Sequence, residues 1–270
     1  MRHLYDEECG SVPCDGAPAS PGSDGPPGPN PYDDERFFEK YSRMPRSVEG
    51  LCGAGEWHAL RRLLPALTGA RVLDLGCGFG WHCRYAAEHG AASVLGIDLS
   101  EKMLERARQM TQDSCVAYRR CAIESYDYPA DTFDLVLSSL ALHYVRPLEE
   151  VCRRVCRTLR PGGRFVFSVE HPVFTAQGPQ DWVYDAQGRR LYWPVDRYFE
   201  EGARRAVFLG ETMTKYHRTL TTYVRSLQTA GLTLTALVEP EPDPALLDRV
   251  PELQDELRRP MMLLCAAQKP

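Results

Sequence analysis

The chain has 270 residues and a mass of 30.5 kDa, room for one large domain or two small ones at roughly 150 residues each. Hydrophobic residues make up 43% and charged residues 26%, an ordinary globular balance, and no apolar run approaches the roughly 18 residues of a membrane span. The net charge of -5 disfavours a nucleic acid as main partner, because binding a polyanion needs clustered Lys and Arg.

The opening Met1-Arg2-His3-Leu4-Tyr5-Asp6-Glu7-Glu8 has neither the apolar core of a secretory signal nor the pattern of a transit peptide. A cytoplasmic location is therefore expected. The ten cysteines are scattered without a Cys-x-x-Cys pair and read as reduced thiols. Seven prolines and five glycines between Gly10 and Pro31 leave too little apolar surface to offset ordering entropy. Residues 1–31 are therefore expected to form a disordered tail, with one folded domain over 32–270.

Asp33 and Asp34 can cap a first helix carrying Phe37, Phe38 and Tyr41, and a second helix is expected over Gly55–Leu64. Strands are expected at Arg71–Leu75, Ser93–Asp98, Val116–Ala122, Phe133–Ser138 and Arg164–Val169. Helices fall between them at residues 81–89, Glu101–Gln109 and Leu148–Leu159. This alternation predicts an α/β fold of Rossmann type, a mostly parallel sheet with helices on both faces. It stalls over residues 171–216, which hold nine aromatics and few periodic signals, the mark of a functional insertion. It resumes with a helix near Arg218–Ala230 and strands near Leu232–Val238 and Met261–Ala267.

The strongest local signal is Asp74-Leu75-Gly76-Cys77-Gly78-Phe79-Gly80, directly after the first strand. Glycines belong where backbone turns sharply and approaches a ligand. A dinucleotide loop presents a helix N-terminus to a pyrophosphate, but an acid at the strand end repels phosphate and suits an amine. Asp98 ends the second strand about 20 residues on, placed to accept from ribose hydroxyls. Ile123 and Glu124 follow the third strand as an apolar residue and an acid that can flank an adenine. The implied ligand is an adenosine without phosphates, carrying a positive, amine-bearing tail.

With Gly96-Ile97-Asp98-Leu99-Ser100, Phe133-Asp134-Leu135-Val136 and Leu159-Arg160-Pro161-Gly162-Gly163, the chain resembles the class I S-adenosylmethionine (SAM)-dependent methyltransferases of the small-molecule type 11 and type 25 branch. The resemblance covers about residues 33–270. It implies a seven-stranded sheet with its last strand antiparallel and SAM at the carboxyl ends of strands one to four. By position, Asp74, Gly76, Gly78 and Gly80 hold the methionine part, with Cys77 inside the same loop. Asp98 holds the ribose, Leu99, Met103 and Ile123 the adenine, and Glu124 the exocyclic amine. Ser138, with Ser139, lines the reactive end, and modification of Cys77 is expected to hinder SAM binding.

Methyl transfer from a sulfonium is an in-line displacement in which alignment does most of the work, so a base is needed only for an acceptor that must lose a proton. His171 and His217 are the candidate bases, with Glu170 third, and each histidine equally suits a structural hydrogen-bonding role. His143 is expected to pack against the cofactor shelf. Tyr41 and the insertion aromatics Trp182, Tyr184, Trp193 and Tyr198 are the candidate acceptor pocket. Ser138-Ser139-Leu140 lacks the Asn/Asp-Pro-Pro-Tyr of nucleic-acid amino-methylating enzymes, Pro13-Cys14 is the only Pro-Cys pair, and no acidic pair suggests a metal. A small-molecule acceptor is therefore expected, with tRNA or protein methylation, or SAM binding without catalysis, as the alternatives.

Overall fold

The computed structural model describes residues 30–270, so the expected tail lies outside the described residues apart from Asn30 and Pro31. Those two already join the fold. The Asn30 side chain accepts from the Tyr32 N–H at 3.2 Å, and Pro31 opens a 3-10 turn. Helix α1 (Glu35–Ser42) follows, capped by Asp34, whose carboxylate accepts from the Phe37 N–H at 3.0 Å. Short helices α2 (Pro45–Val48) and α3 (Trp57–Leu60) lead into β1 (Arg71–Leu75). The helix expected over Gly55–Leu64 shrinks to α3 and a 3-10 turn.

Then come α4 (Trp81–Glu88), β2 (Ser93–Asp98), α5 (Glu101–Met110), β3 (Val116–Arg120), β4 (Phe133–Ser139), α6 (Leu148–Thr158) and β5 (Leu159–Glu170). Pro161-Gly162-Gly163 lies within β5, at a break in its register with β4. Beyond the insertion lie α8 (Leu220–Thr229), β10 (Thr233–Val238), α9 (Pro244–Leu247) and β11 (Met262–Gln268).

The central sheet has seven strands in the order β10-β11-β5-β4-β1-β2-β3. β11 runs antiparallel to β5 and β10, and the remaining pairs are parallel. Consecutive residues such as Val72 and Leu73 are both buried because helices cover both faces. Val72, Val94 and Leu135 join Leu60, Cys83 and Leu104 on one side. Leu73, Val136 and Phe165 join Val151, Val155 and Leu227 on the other. Strand order reverses between β1 and β4, and the crevice beyond their carboxyl ends is where a doubly wound sheet receives its ligand.

The insertion is not irregular. After α7 (Pro172–Thr175), β6 (Val183–Tyr184) pairs with β7 (Arg190–Tyr192), and β8 (Gly202–Phe208) pairs with β9 (Glu211–His217). The second hairpin turns on Leu209 and Gly210, both at positive φ (53° and 87°), the conformation of a tight two-residue hairpin turn. No helix among the described residues is long and apolar enough to cross a membrane.

Candidate active site

The loop after β1 is shaped by three glycines at positive φ, Gly76, Gly78 and Gly80. A Cβ on Gly76 would strike the Ala141 side chain, and one on Gly80 would strike the Tyr118 ring. Gly78 differs, since a Cβ there would meet nothing within 4 Å. Two glycines thus permit close packing, and the middle one borders open space. Asp98 clamps the loop, accepting from the Gly78 N–H and the Ser100 N–H, each at 2.9 Å. Burial and the nearby Asp33 push its pKa up, against the pull of those N–H groups. Leu99 beside it is 50% exposed, an open apolar shelf. Ile123 is buried near Gly76, Met103 is buried in α5, and Glu124 is half-buried with its carbonyl on Arg154.

Asp74 is the distinctive group. It is buried, its Oδ2 accepts from the Cys83 thiol at 3.3 Å, and its Oδ1 has no partner. Burial raises its pKa to about 7. A buried oxygen without a partner carries the desolvation cost of that group, which a bound donor removes. The loop that follows it borders a cavity of about 70 Å³ lined by Gly76, Cys77 and Gly78, by Arg46, Ser47 and Gly50 before β1, and by Trp81 after the loop. Tyr41, named in the sequence as an acceptor contact, lines this cavity too. So does Ser139, whereas Ser138 turns inward to donate to the Leu75 carbonyl at 2.8 Å. The expectation for Ser138 thus passes to its neighbour, since adjacent strand residues face opposite ways. Leu140, at φ 53°, bends the chain here so that Ala141 meets Gly76. Cys77 is buried and its thiol pushed up to about 11, which makes it a poor target for modification.

Both candidate bases make hydrogen bonds within the protein. His171 caps α7, its Nδ1 accepting from the Val173 N–H at 3.0 Å. The proton therefore sits on Nε2, 2.8 Å from Glu239 Oε1 though not in hydrogen-bond alignment. His217 is fully buried, with Nε2 2.8 Å from the Tyr198 carbonyl and Nδ1 2.8 Å from the Thr175 hydroxyl. The carbonyl can only accept, so Nε2 carries the proton and Nδ1 takes the hydroxyl proton. Burial depresses both histidines. The structure thus gives both histidines internal hydrogen bonds, the structural role that the sequence equally allowed.

The insertion aromatics also make contacts within the chain. Phe174 stacks on Trp193 at 4.9 Å, and Trp182 meets Trp193 edge-on at 5.4 Å. The Arg259 guanidinium lies over all three rings, at 4.6, 4.2 and 5.3 Å. Trp182 and Trp193 therefore hold the chain's own arginine. Tyr184 is exposed and donates to Asp181, and the Tyr198 hydroxyl accepts from the Leu220 N–H.

A different polar set closes the carboxyl end of β5. The Lys215 ammonium, buried under β9, donates to Glu170 at 2.6 Å and to Gln180 at 2.9 Å. Gln180 returns a hydrogen bond to Glu170 at 2.8 Å. Burial raises the Glu170 pKa, but His143 and Lys215 more than offset it and hold the carboxyl below its usual range. His143 is buried, with its pKa lowered to about 4 chiefly by burial. Tyr144 approaches the Tyr32 hydroxyl at 3.4 Å. Helix α1 roofs the region, with Phe38 and Tyr41 each 5.7 Å from Phe79, Phe37 against Phe208, and Lys40 donating to the Leu209 carbonyl at 2.8 Å.

A methyltransferase-domain family profile of type 11 matches residues 73–167. A Listeria monocytogenes crystal structure, described as a putative SAM-dependent methyltransferase, is similar with TM-score 0.75 and 54% identity, covering 80% of this chain and 99% of that one. A SAM-dependent methyltransferase from Mesorhizobium loti is similar with TM-score 0.76 and 49% identity, over 82% and 100%. The chain belongs to the SAM-dependent methyltransferases. Curated methyltransferases resemble about two fifths of it. The malonyl-[acyl-carrier protein] O-methyltransferase of Enterobacter lignolyticus is 40% identical over 110 residues, 41% of this chain and 43% of its own. The 27-O-demethylrifamycin SV methyltransferase of Amycolatopsis mediterranei is 36% identical over 109, covering 39% and 40%.

The site fits SAM. The orphaned Asp74 oxygen suits its ammonium, and the open space at Gly78 suits a close approach by its tail. For this methyltransferase, sequence reasoning missed Trp81 and Lys215. Trp81 carried no signal beyond following Gly80. Lys215 carried one, since it shares strand parity with buried Met213, an inward position where a lysine needs an internal partner.

Proposed function

We propose that this methyltransferase acts on a small-molecule acceptor, with residues 32–270 as the catalytic unit and 171–216 as its acceptor-side insertion. The observation that carries this reading is the roof made by α1 and the β8–β9 hairpin, joined by the Lys40–Leu209 hydrogen bond and the Phe37–Phe208 contact. A roofed site suits a compact acceptor better than a polymer. The small-molecule substrate named for the rifamycin relative supports the same reading.

Bound SAM supplies a methyl group on a sulfonium that is already a good leaving group. Asp74 holds the amine, Asp98 the ribose, Leu99, Met103 and Ile123 the adenine, and Glu124 its exocyclic nitrogen. Ser139 and Tyr144 border the acceptor. Tyr32, Tyr41 and Phe79 exclude water, and alignment is the main catalytic device. Glu170 stays ionised against Lys215 and is a weak base, which favours an acceptor already nucleophilic near neutrality. The eight cysteines of the described residues are all free, which fits a reducing cytoplasm.

Purified protein incubated with methyl-labelled SAM is offered a metabolite extract or total RNA. We expect label in a small molecule, with stoichiometric S-adenosylhomocysteine. Label confined to RNA or protein would overturn the proposal.

A further inference from the structure

The polar cluster at the end of β5 carries more positive than negative charge. The Lys215 ammonium has three N–H donors and spends one on Glu170 at 2.6 Å and one on Gln180 at 2.9 Å. Arg218, between β9 and α8, is buried as well. Its guanidinium donates to the carbonyls of Val145, Arg146 and Tyr216, and to no carboxylate among the described residues. The charged groups that bear on His143 are Lys215 and Arg218, both positive, and Glu170, negative. His143 itself is neutral near pH 7, its pKa lowered to about 4 chiefly by burial.

The cluster stands beside the cofactor site. Ser139 of β4 lines the cofactor cavity and accepts from the Ser168 hydroxyl of β5 at 3.1 Å, and Glu170 lies two residues further along that strand. The Lys215 ammonium lies 6.0 Å from the centre of the Tyr144 ring and 5.7 Å from that of Phe208. Both rings meet the roof, Tyr144 through Tyr32 and Phe208 through Phe37. Tyr32 packs edge-on against Tyr41, which lines the cofactor cavity.

We propose that Lys215 is the recognition group for an oxyanion on the methyl acceptor, a carboxylate or a phosphate, so that the enzyme takes anionic small molecules. The proposal rests on the small-molecule reading above and names the substrate class. Glu170 cancels the charge of Lys215, and Arg218 leaves one buried positive charge without a counterion. A buried charge left uncompensated is costly, and a ligand of opposite sign offsets that cost. A cationic acceptor would add to the surplus. The third N–H of Lys215 is the donor left for the oxyanion. Gln180 positions the ammonium. Its φ of 54° lies in the left-handed region where a side chain is strained, and from there its amide donates to Glu170 and accepts from Lys215.

The test splits a metabolite extract on a strong anion exchanger at about pH 8. The flow-through and the fraction eluted with volatile ammonium bicarbonate are dried and offered to the full chain with methyl-labelled SAM. We expect the eluted fraction to yield at least about tenfold more labelled small molecule than the flow-through. The double variant Lys215→Met with Glu170→Met removes the pair and replaces it by apolar side chains. It should need about tenfold more of the eluted fraction for half-maximal rate, with kcat within about threefold and S-adenosylhomocysteine affinity within about twofold. A pair that only joined β9 to β5 would leave the half-saturating amount unchanged. Lys215→Gln, which keeps a donor and drops the charge, should behave in the same way and serves if the double variant does not fold. As much label from the flow-through as from the eluate, or an unchanged half-saturating amount in a folded variant, would overturn the proposal and leave the small-molecule reading standing. No labelled small molecule from the unsplit extract would overturn that reading and this inference with it.

Discussion

Gly76 and Gly78 are two residues apart, share a positive φ, and do different things. Gly76→Ala drives a methyl group into Ala141 from a backbone that L residues disfavour, so it should lower the melting temperature and yield little folded protein. Gly78→Ala carries about 1–2 kcal/mol of left-handed strain but projects into open space, so the protein should fold. That methyl group borders the cofactor cavity, and S-adenosylhomocysteine affinity should fall at least about tenfold. Calorimetry beside a thermal melt separates the two outcomes. The glycine loop, Asp74 and Asp98 were legible because cofactor chemistry fixes residue type and spacing together. The internal hydrogen bonds of His171 and His217 were not, because a histidine that caps α7 or faces the Tyr198 carbonyl reads the same in sequence as a base.

At the scale of elements, the Lys215–Glu170 pair ties β9 of the insertion to the end of β5 of the central sheet. Lys215→Met strands a buried carboxylate and should cost about 3–5 kcal/mol. The double variant Lys215→Met with Glu170→Met should recover most of that loss, because two well-packed apolar chains replace a desolvated pair. Urea denaturation of the three variants checks this, and a double variant as unstable as the single would contradict it. The parallel strands announced themselves as short apolar runs covered on both faces. The two hairpins did not, since β7 is exposed at all three positions and β8 is mostly exposed or half-buried, leaving little alternation to read.

For the whole molecule, Asp74 makes stability depend on pH. Its folded pKa of about 7 lies above the ordinary 3.8, so between those values the folded chain holds a proton that the unfolded chain has lost. Stability from this group is therefore full in acid and falls as pH rises through about 4 to 7, by up to about 4 kcal/mol. Asp74→Asn should flatten that slope, and urea titrations of the ligand-free protein at pH 5 and pH 8 test it. Fold class and the strands up to the fifth were within reach of the sequence. The contact between α1 and the β8–β9 hairpin was not, because it is made at a hairpin tip about 170 residues away, at Lys40 and Leu209.

Arg259 reaches back from just before β11 to lie among Phe174, Trp182 and Trp193. β11 lies between β5 and β10 in the central sheet. Together with Arg258, which donates to the Leu191 carbonyl and lies over Trp182, Arg259 anchors the insertion to the chain entering a strand inside the sheet, not merely over its edge. Amide protons of the segment around Trp193 should therefore exchange with solvent together with those of β11, in one cooperative opening.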